Sequence, residues 1–391
     1  MSTRLIANLR RIDADVDRQS PLRVAVDGTS LLGRRTGVGH ATAGLVEALA
    51  DRPELELVTF AVTWRGRDGL VGLVPTGTRS ATARFPARLA RALWLRTNSP
   101  MVERWTGPVD VVHAANFVAP PARVPVVTTI HDLTFARYPE MCTADVRRYP
   151  RLIRRALDRG ATVHVVSDFV GAEVREEFAL PSERVVRVYP GLRASGGGNA
   201  DAGRRLTGAD RYVLALGTVE PRKNLPTLVR AFDVAADASS DLRLVVAGPD
   251  GWDQDALLAA CAAARHGSRI RRMSYLSETD RRDLLAGAAV FAYPSLYEGF
   301  GHPPLEAMAA DIPVVAARAG ALPEVLGDAA VLVDPRDHEQ LAQGLAAVLD
   351  DADLRTKLLE RGRDRVARFS WDRAGEELSR LYHRLRATVT A

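Results

Sequence analysis

Cysteine is nearly absent. Of 391 residues only Cys142 and Cys261 are cysteines, far apart in the chain, so they supply neither a disulfide framework nor a thiolate cluster for a metal. That scarcity suits a reducing compartment and points to a cytoplasmic protein. No apolar run approaches the ~20 residues that a membrane-crossing helix needs. Residues 1–20 interleave Arg4, Arg10 and Arg11 with Asp13, Asp15 and Asp17 around no apolar core, which argues against a secretory leader. Also lacking is an Asp-x-Asp pair at a strand end, where a divalent ion would meet a phosphate; Asp13-Ala14-Asp15 lies in the N-terminal arm. Neither a metal nor a cofactor is expected.

What the chain does have is length and alternation. It exceeds the usual limit of one hydrophobic core, and its 47% hydrophobic content is ordinary for a globular α/β protein. Strands are expected at Arg23–Val26, Leu55–Phe60, Val109–Val112, Val126–Thr129 and Thr162–Val166, separated by helical stretches, with a last one at Val185–Val188. The same scheme restarts at Tyr212. Between the halves, Arg193-Ala194-Ser195-Gly196-Gly197-Gly198-Asn199-Ala200 is the clearest flexible break. The reading is α/β, with two doubly wound, Rossmann-like domains: residues 1–192, a linker over 193–203, and 204–370.

The most specific segment runs from Pro294 to Val315. Short apolar runs at Ala289–Tyr293 and Val314–Ala317 read as buried parallel strands. Between them, Pro303 and Pro304 suit a first helical turn, and Leu305–Ala309 continues it. Gly299 and Gly301 let the loop backbone approach a ligand, and the helix start favours an anion such as a diphosphate. Glu306, in the first turn, can accept from paired ribose hydroxyls, while Glu298 faces whatever the diphosphate carries.

A second segment adds cations. Tyr212–Gly217 is a strand followed by Thr218-Val219-Glu220-Pro221-Arg222-Lys223-Asn224 and an amphipathic helix through Leu225, Leu228, Val229 and Phe232. Arg222 and Lys223 thus fall at the carboxyl edge of a sheet, where open α/β folds bind ligands and where fixed cations can neutralise a departing diphosphate. Because that pair can replace a divalent ion, metal-independent chemistry is expected.

The first half offers a glycine-rich turn, Gly37-Val38-Gly39-His40-Ala41-Thr42. Thr42 stands where a dinucleotide fingerprint has its third glycine, and the second strand runs into Ala61-Val62-Thr63 with no acidic residue for a ribose, which argues against a nicotinamide enzyme. His131 and Asp132 follow an apolar strand and sit at its carboxyl end. Asp132 either orients an acceptor or only fixes the His131 loop. His113 and Asn116, after Val109–Val112, read first as structural residues, with the acceptor side as the other reading.

Gly217–Asn224 and Pro294–Met308 together resemble the donor domain of family-4 retaining glycosyltransferases of the GT-B fold. Val26–Leu32 followed by Thr36-Gly37-Val38-Gly39 resembles the opening of the subgroup that includes O-antigen mannosyltransferases. Thr129–Leu133, Val165–Phe169, Gly320–Val325 and Phe369–Trp371 match further landmarks. The resemblance implies two domains facing a cleft, with a terminal helix over 371–391 crossing back to the first. It implies transfer of a hexose with retention, mannose from GDP-mannose in the subgroup, to a carbohydrate, lipid-linked or small-molecule acceptor in polysaccharide biosynthesis. It places Gly37, Gly39, Gly217, Gly299, Phe300, Gly301 and His302 in the donor site with the charged residues above, and His131 beside the donor sugar. His302 departs from the apolar residue many relatives carry, and it either touches the donor or is exposed. An epimerase or phosphorylase-like enzyme of the same fold, or a non-catalytic nucleotide-sugar-binding protein, are the other readings.

A formal net charge of +5 favours anionic partners. Arg84–Arg96 can form a short helix with basic and apolar faces, suited to peripheral contact with an anionic membrane from the cytoplasmic side. No basic run is interleaved with aromatics in a nucleic-acid module.

Overall fold

The computed structural model describes residues 20–33, 37–64, 67–192, 197–274 and 276–390. The N-terminal arm, Thr36 and residues 193–196 of the expected break lie outside them. Two parallel sheets carry the fold. The first contains β1 (Leu22–Asp27), β2 (Leu55–Val62), β3 (Arg79–Ala83), β4 (Val111–Ala114), β5 (Val126–Ile130), β6 (Thr162–Val165) and β7 (Val185–Arg187). Its order is β3-β2-β1-β4-β5-β6-β7. The second contains β8 (Tyr212–Leu216), β9 (Arg243–Ala247), β10 (Ile270–Met273), β11 (Val290–Tyr293), β12 (Val314–Ala317) and β13 (Ala330–Val333), in the order β10-β9-β8-β11-β12-β13. Helices connect successive strands, as parallel pairing demands. The α/β, GT-B-type architecture read from the sequence is the one found.

Most strand readings hold within two residues. β4 starts at Val111 rather than Val109; just ahead of it the Asp110 carboxylate takes the Arg23 backbone N–H at 2.9 Å and its guanidinium at 3.2 Å, and the Asp110 N–H donates to the Arg23 carbonyl at 2.7 Å. β3 was not anticipated. Its Arg-Ser-Ala-Thr-Ala has no strong apolar alternation, and it pairs only with β2, at a sheet edge.

The chain groups into two compact units. Unit 1 holds residues 1–128, 155–162 and 375–391; unit 2 holds 129–154 and 163–374. Within unit 1, the middle turns of the helix Trp371–Thr390 bring the fully buried Tyr382 hydroxyl to 2.5 Å from His113 Nδ1, and Ser379 Oγ donates to Glu54 at 2.7 Å. Within unit 2, Val213, Leu228, Phe232, Val290, Val315 and Leu345 belong to one core that seals a face of the second sheet with helical side chains. Gly375 packs against Ala48 inside unit 1, where an added Cβ would come 2.8 Å from the Ala48 carbonyl oxygen.

Candidate active site

The second sheet reverses its direction of growth between β8 and β11. At such a switch point the loops leaving the two carboxyl ends diverge and open a crevice. Here the crevice is lined by Gly217 and Thr218 after β8, Pro294 and Ser295 after β11, and the side chains of Lys223 and Tyr293. All belong to unit 2.

Arg222 and Lys223 stand on a single tight turn, Pro221–Lys223. Asn224 then takes a left-handed conformation (φ 54°) and starts the helix Leu225–Ala235. The Asn224 side-chain amide donates to the Pro294 carbonyl at 3.1 Å and the Pro335 carbonyl at 2.7 Å, which anchors the turn to the loop after β11. Glu298 closes the arrangement. One oxygen lies 2.6 Å from Arg222 Nη1, the other 2.7 Å from Lys223 Nζ, and the Tyr293 hydroxyl donates to it at 2.9 Å. Lys223 also donates to the Tyr293 hydroxyl at 2.7 Å, and Arg222 to the Tyr297 carbonyl at 3.0 Å.

Burial decides the electrostatics. Glu298 is 7% exposed, and burial alone would raise its pKa; Arg222 and Lys223 outweigh that and hold it down to about 2. Glu298 is therefore a fixed anion at any physiological pH, an acceptor for hydroxyls rather than an acid. Burial works against the charge of Arg222, but Glu298 and then Asp132 more than compensate and raise its pKa. For Lys223 burial prevails over Glu298 and the pKa falls.

Glu306 lies on the helix His302–Ala309, and its carboxylate is ion-paired with Arg281 of the helix Glu278–Gly287. The helix start is poorer in donors than expected. Pro303 and Pro304 carry no N–H, so His302 and Leu305 are the donors of its first four residues. The glycines of the loop have other partners than a ligand: a Cβ on Gly299 would stand 1.8 Å from the His131 carbonyl oxygen, and Gly301 adopts φ +119°. Phe300 is buried, packed edge-on against Phe369 (ring centroids 5.3 Å apart) and tilted on the His302 ring (4.9 Å). His302 is thus a half-buried partner of an aromatic cluster.

His131 is half-buried at the end of β5, its carbonyl against Gly299. Asp132 accepts the Thr134 N–H at 2.9 Å and acts electrostatically on Arg222. The structure thus brings His131, Asp132, Gly217, Arg222, Lys223, Glu298 and Gly299 together in unit 2. Gly37 and Gly39 open the helix Gly37–Ala50 of unit 1, Gly37 exposed and Gly39 buried. His113 is fully buried beside Tyr382, which fits its structural reading; Asn116 Oδ1 is buried with no hydrogen-bond partner. No group of three His, Cys, Asp or Glu that could hold a metal exists among the described residues.

Four contributors were not read from the sequence: Tyr293, Tyr297, Asn224 and Arg281. Tyr293 ends an expected strand and Tyr297 lies in the loop after it, and nothing in local spacing announces that their hydroxyls turn toward charged partners. One signal was available for the cation pair. Lys223 and Lys357 are the only lysines of a chain with 53 basic residues, so a lysine beside Arg222 stands out against an arginine background.

Residues 201–365 match the family described as "Glycosyl transferases group 1", and residues 35–195 match "Glycosyltransferase Family 4". The chain is similar to an O-antigen chain mannosyltransferase B of Escherichia coli, 31% identical over 281 residues that span 70% of this chain and 74% of that protein. It is also similar to an MMP alpha-(1->4)-mannosyltransferase of Mycolicibacterium hassiacum, 41% identical over 126 residues, 31% of either chain. Among solved structures it superposes on a sucrose-phosphate synthase from Thermosynechococcus elongatus with a TM-score of 0.74 and 19% identity, covering 94% of this chain and 100% of that one.

Proposed function

From the premise that this chain belongs to the family-4 retaining glycosyltransferases of GT-B fold, we propose that it transfers mannose from GDP-mannose to an acceptor hydroxyl in polysaccharide or glycolipid assembly. The observation that carries the transferase reading is the buried Arg222–Glu298–Lys223 cluster at the switch point of the second sheet. The choice of mannose is supported by the names of the two relatives above.

In this reading the bond from the anomeric carbon to the donor's β-phosphate oxygen breaks and its electron pair stays on the diphosphate. The acceptor oxygen bonds to the anomeric carbon on the face the phosphate leaves, and the acceptor proton passes to a donor phosphate oxygen. Arg222 and Lys223 neutralise the charge that grows on the leaving group, which lowers the barrier to its departure without a metal. Glu298, ionised throughout, accepts from a hydroxyl of the donor sugar. Glu306 accepts from the ribose while Arg281 keeps its carboxylate in place. His131 borders the sugar, and Asp132 steadies both its own turn and Arg222.

The acceptor side carries a second proposal. Residues 69–102 contain no Asp or Glu and five arginines, Arg79, Arg84, Arg88, Arg91 and Arg96. On the helix Ala87–Trp94, Arg88 and Leu89 point outward, Leu89 49% exposed. That face suits peripheral contact with an anionic lipid surface bearing the acceptor. No helix of the described residues is long and apolar enough to cross a membrane.

A thermal-shift screen with GDP-, UDP-, dTDP- and ADP-sugars tests the donor, because a ligand that binds only the native state raises its stability. GDP-mannose is expected to give the largest shift, and mixing it with acceptor should release GDP. A larger shift with a UDP-sugar overturns the donor assignment; affinity without any release of diphosphate overturns the transferase.

A further inference from the structure

One tyrosine joins the parts of this site. Tyr297 is 3% exposed, its ring set between Tyr138 (centroids 5.5 Å apart) and Phe169 (5.9 Å). Its carbonyl accepts from Arg222 at 3.0 Å, and the next residue is Glu298. A phenol can donate one hydrogen bond and accept others, and this hydroxyl does both. It accepts from the Leu133 N–H at 2.9 Å, one residue past Asp132, and donates to the Glu173 carboxylate. The other Glu173 oxygen takes Arg137 Nε at 2.8 Å, at the end of the helical turn Thr134–Arg137. The segment 133–137 is thus held at both ends by one buried phenol and its partner carboxylate.

Close packing adds to the hold. Gly299 lies so near the His131 carbonyl that no side chain fits, and Ser167 Oγ donates to the Gly299 carbonyl at 2.8 Å. Asp132 spends one oxygen on the Thr134 N–H, which folds the turn that Tyr297 pins.

We propose that Tyr297 is a positioning residue: its hydroxyl, shared between Leu133 and Glu173, fixes the His131–Asp132 turn against Arg222 and Glu298. The proposal rests on the transferase reading for what that turn accomplishes. A ring that only fills space would not need the hydroxyl, so Tyr297→Phe removes the proposed function and keeps the packing.

The experiment compares Tyr297→Phe, His131→Ala and the double variant, with turnover of GDP-mannose, donor KM, thermal midpoint and amide exchange of the 131–137 segment as readouts. Tyr297→Phe should lower kcat about tenfold or more with donor KM within about twofold, and should speed exchange at 131–137. In the His131→Ala background the Phe substitution should cost little further, because both act through one turn. Glu173→Ala, which removes the hydroxyl's acceptor and leaves the ring untouched, should speed the same exchange. Unchanged kcat and exchange, a lowered midpoint alone, or effects that multiply in the double variant would overturn the proposal. The exchange readout needs no turnover, so a wild-type chain that releases no GDP counts against the transferase reading while exchange still decides the role of Tyr297.

Discussion

Lys223 Nζ lies 2.7 Å from Glu298 Oε1, with both side chains almost wholly covered. Arg222 holds the other oxygen, so these side chains form a closed network and not a set of bare ions. In the proposed reading a donor entering it exchanges partners: its diphosphate takes the cations and its sugar hydroxyl donates to the carboxylate they partly release, which would spare the cost of desolvating isolated charges at that moment.

That relationship makes Glu298 a residue of both stability and turnover. Glu298→Ala leaves two buried cations facing each other, a change that costs about 3–5 kcal/mol when one partner of a buried pair is removed. It also removes the acceptor for the sugar. The variant is expected to unfold at lower temperature, to turn over at least about a hundredfold more slowly, and to gain more stability from GDP than the wild type does, because the diphosphate replaces the missing anion. Thermal unfolding with and without GDP checks this; a GDP-induced shift smaller than that of the wild type would show that Glu298 does not share its cations with the donor.

Arg281 and Glu306 are expected to act as a unit. If Arg281 orients the carboxylate that receives the ribose, then Arg281→Ala and Glu306→Ala should each weaken GDP binding about tenfold, and the double variant should be little worse than either. Calorimetric titration of the three variants reads this directly. Independent, multiplying losses would mean that Arg281 acts on the nucleotide by a route other than Glu306.

How much of this was legible beforehand follows from the kind of signal each residue emits. The βα units announce themselves through apolar runs bounded by Gly and Pro, so β8, β11 and β12 and the loops they launch were readable, and with them Arg222, Lys223, Glu298 and Glu306. β3 was not, because an edge strand of small and polar residues buries too little to show a pattern. Partnerships were also hidden. Arg281 sits 25 residues from Glu306 and Tyr297 lies 164 from Leu133, separations that only the folded chain closes. The surroundings of Phe300 were hidden as well: its place inside the motif does not show that its ring packs with Phe369 and His302.

The acid-free stretch 69–102 predicts lipid binding that depends on charge. Wild-type protein should float with anionic vesicles at low salt and stay behind with zwitterionic ones. Each arginine near such a surface contributes about 1 kcal/mol, so replacing Arg84, Arg88 and Arg96 together by Ala should weaken binding on the order of a hundredfold, with activity on a soluble acceptor kept. Wild-type protein that ignores anionic vesicles at low salt removes this proposal.

His164 predicts a stability limb of its own. The imidazole is 6% exposed on β6, with Nδ1 2.9 Å from Thr129 Oγ1 and Nε2 3.1 Å from the Val188 carbonyl. A carbonyl can only accept, so Nε2 carries the proton, and Nδ1 receives the threonine hydroxyl; the ring is neutral. Burial pushes its pKa from 6.5 down to about 4, against the pull of the Val188 carbonyl and with a small push from His131. Between those two values the unfolded chain binds a proton that the folded chain does not, so stability from this residue is complete above pH 6.5 and declines as pH falls toward 4. The full loss is about 3 kcal/mol, at ~1.4 kcal/mol per pH unit. The depressed Glu298 loses its contribution only lower, from about 4.5 toward 2, so the two windows separate. Urea midpoints of wild type and His164→Gln at pH 7, 5.5 and 4.2 should converge as pH falls, the wild type dropping and the variant remaining flatter. Parallel curves would mean that His164 is protonated in the native state, and the neutral buried ring would have to be abandoned.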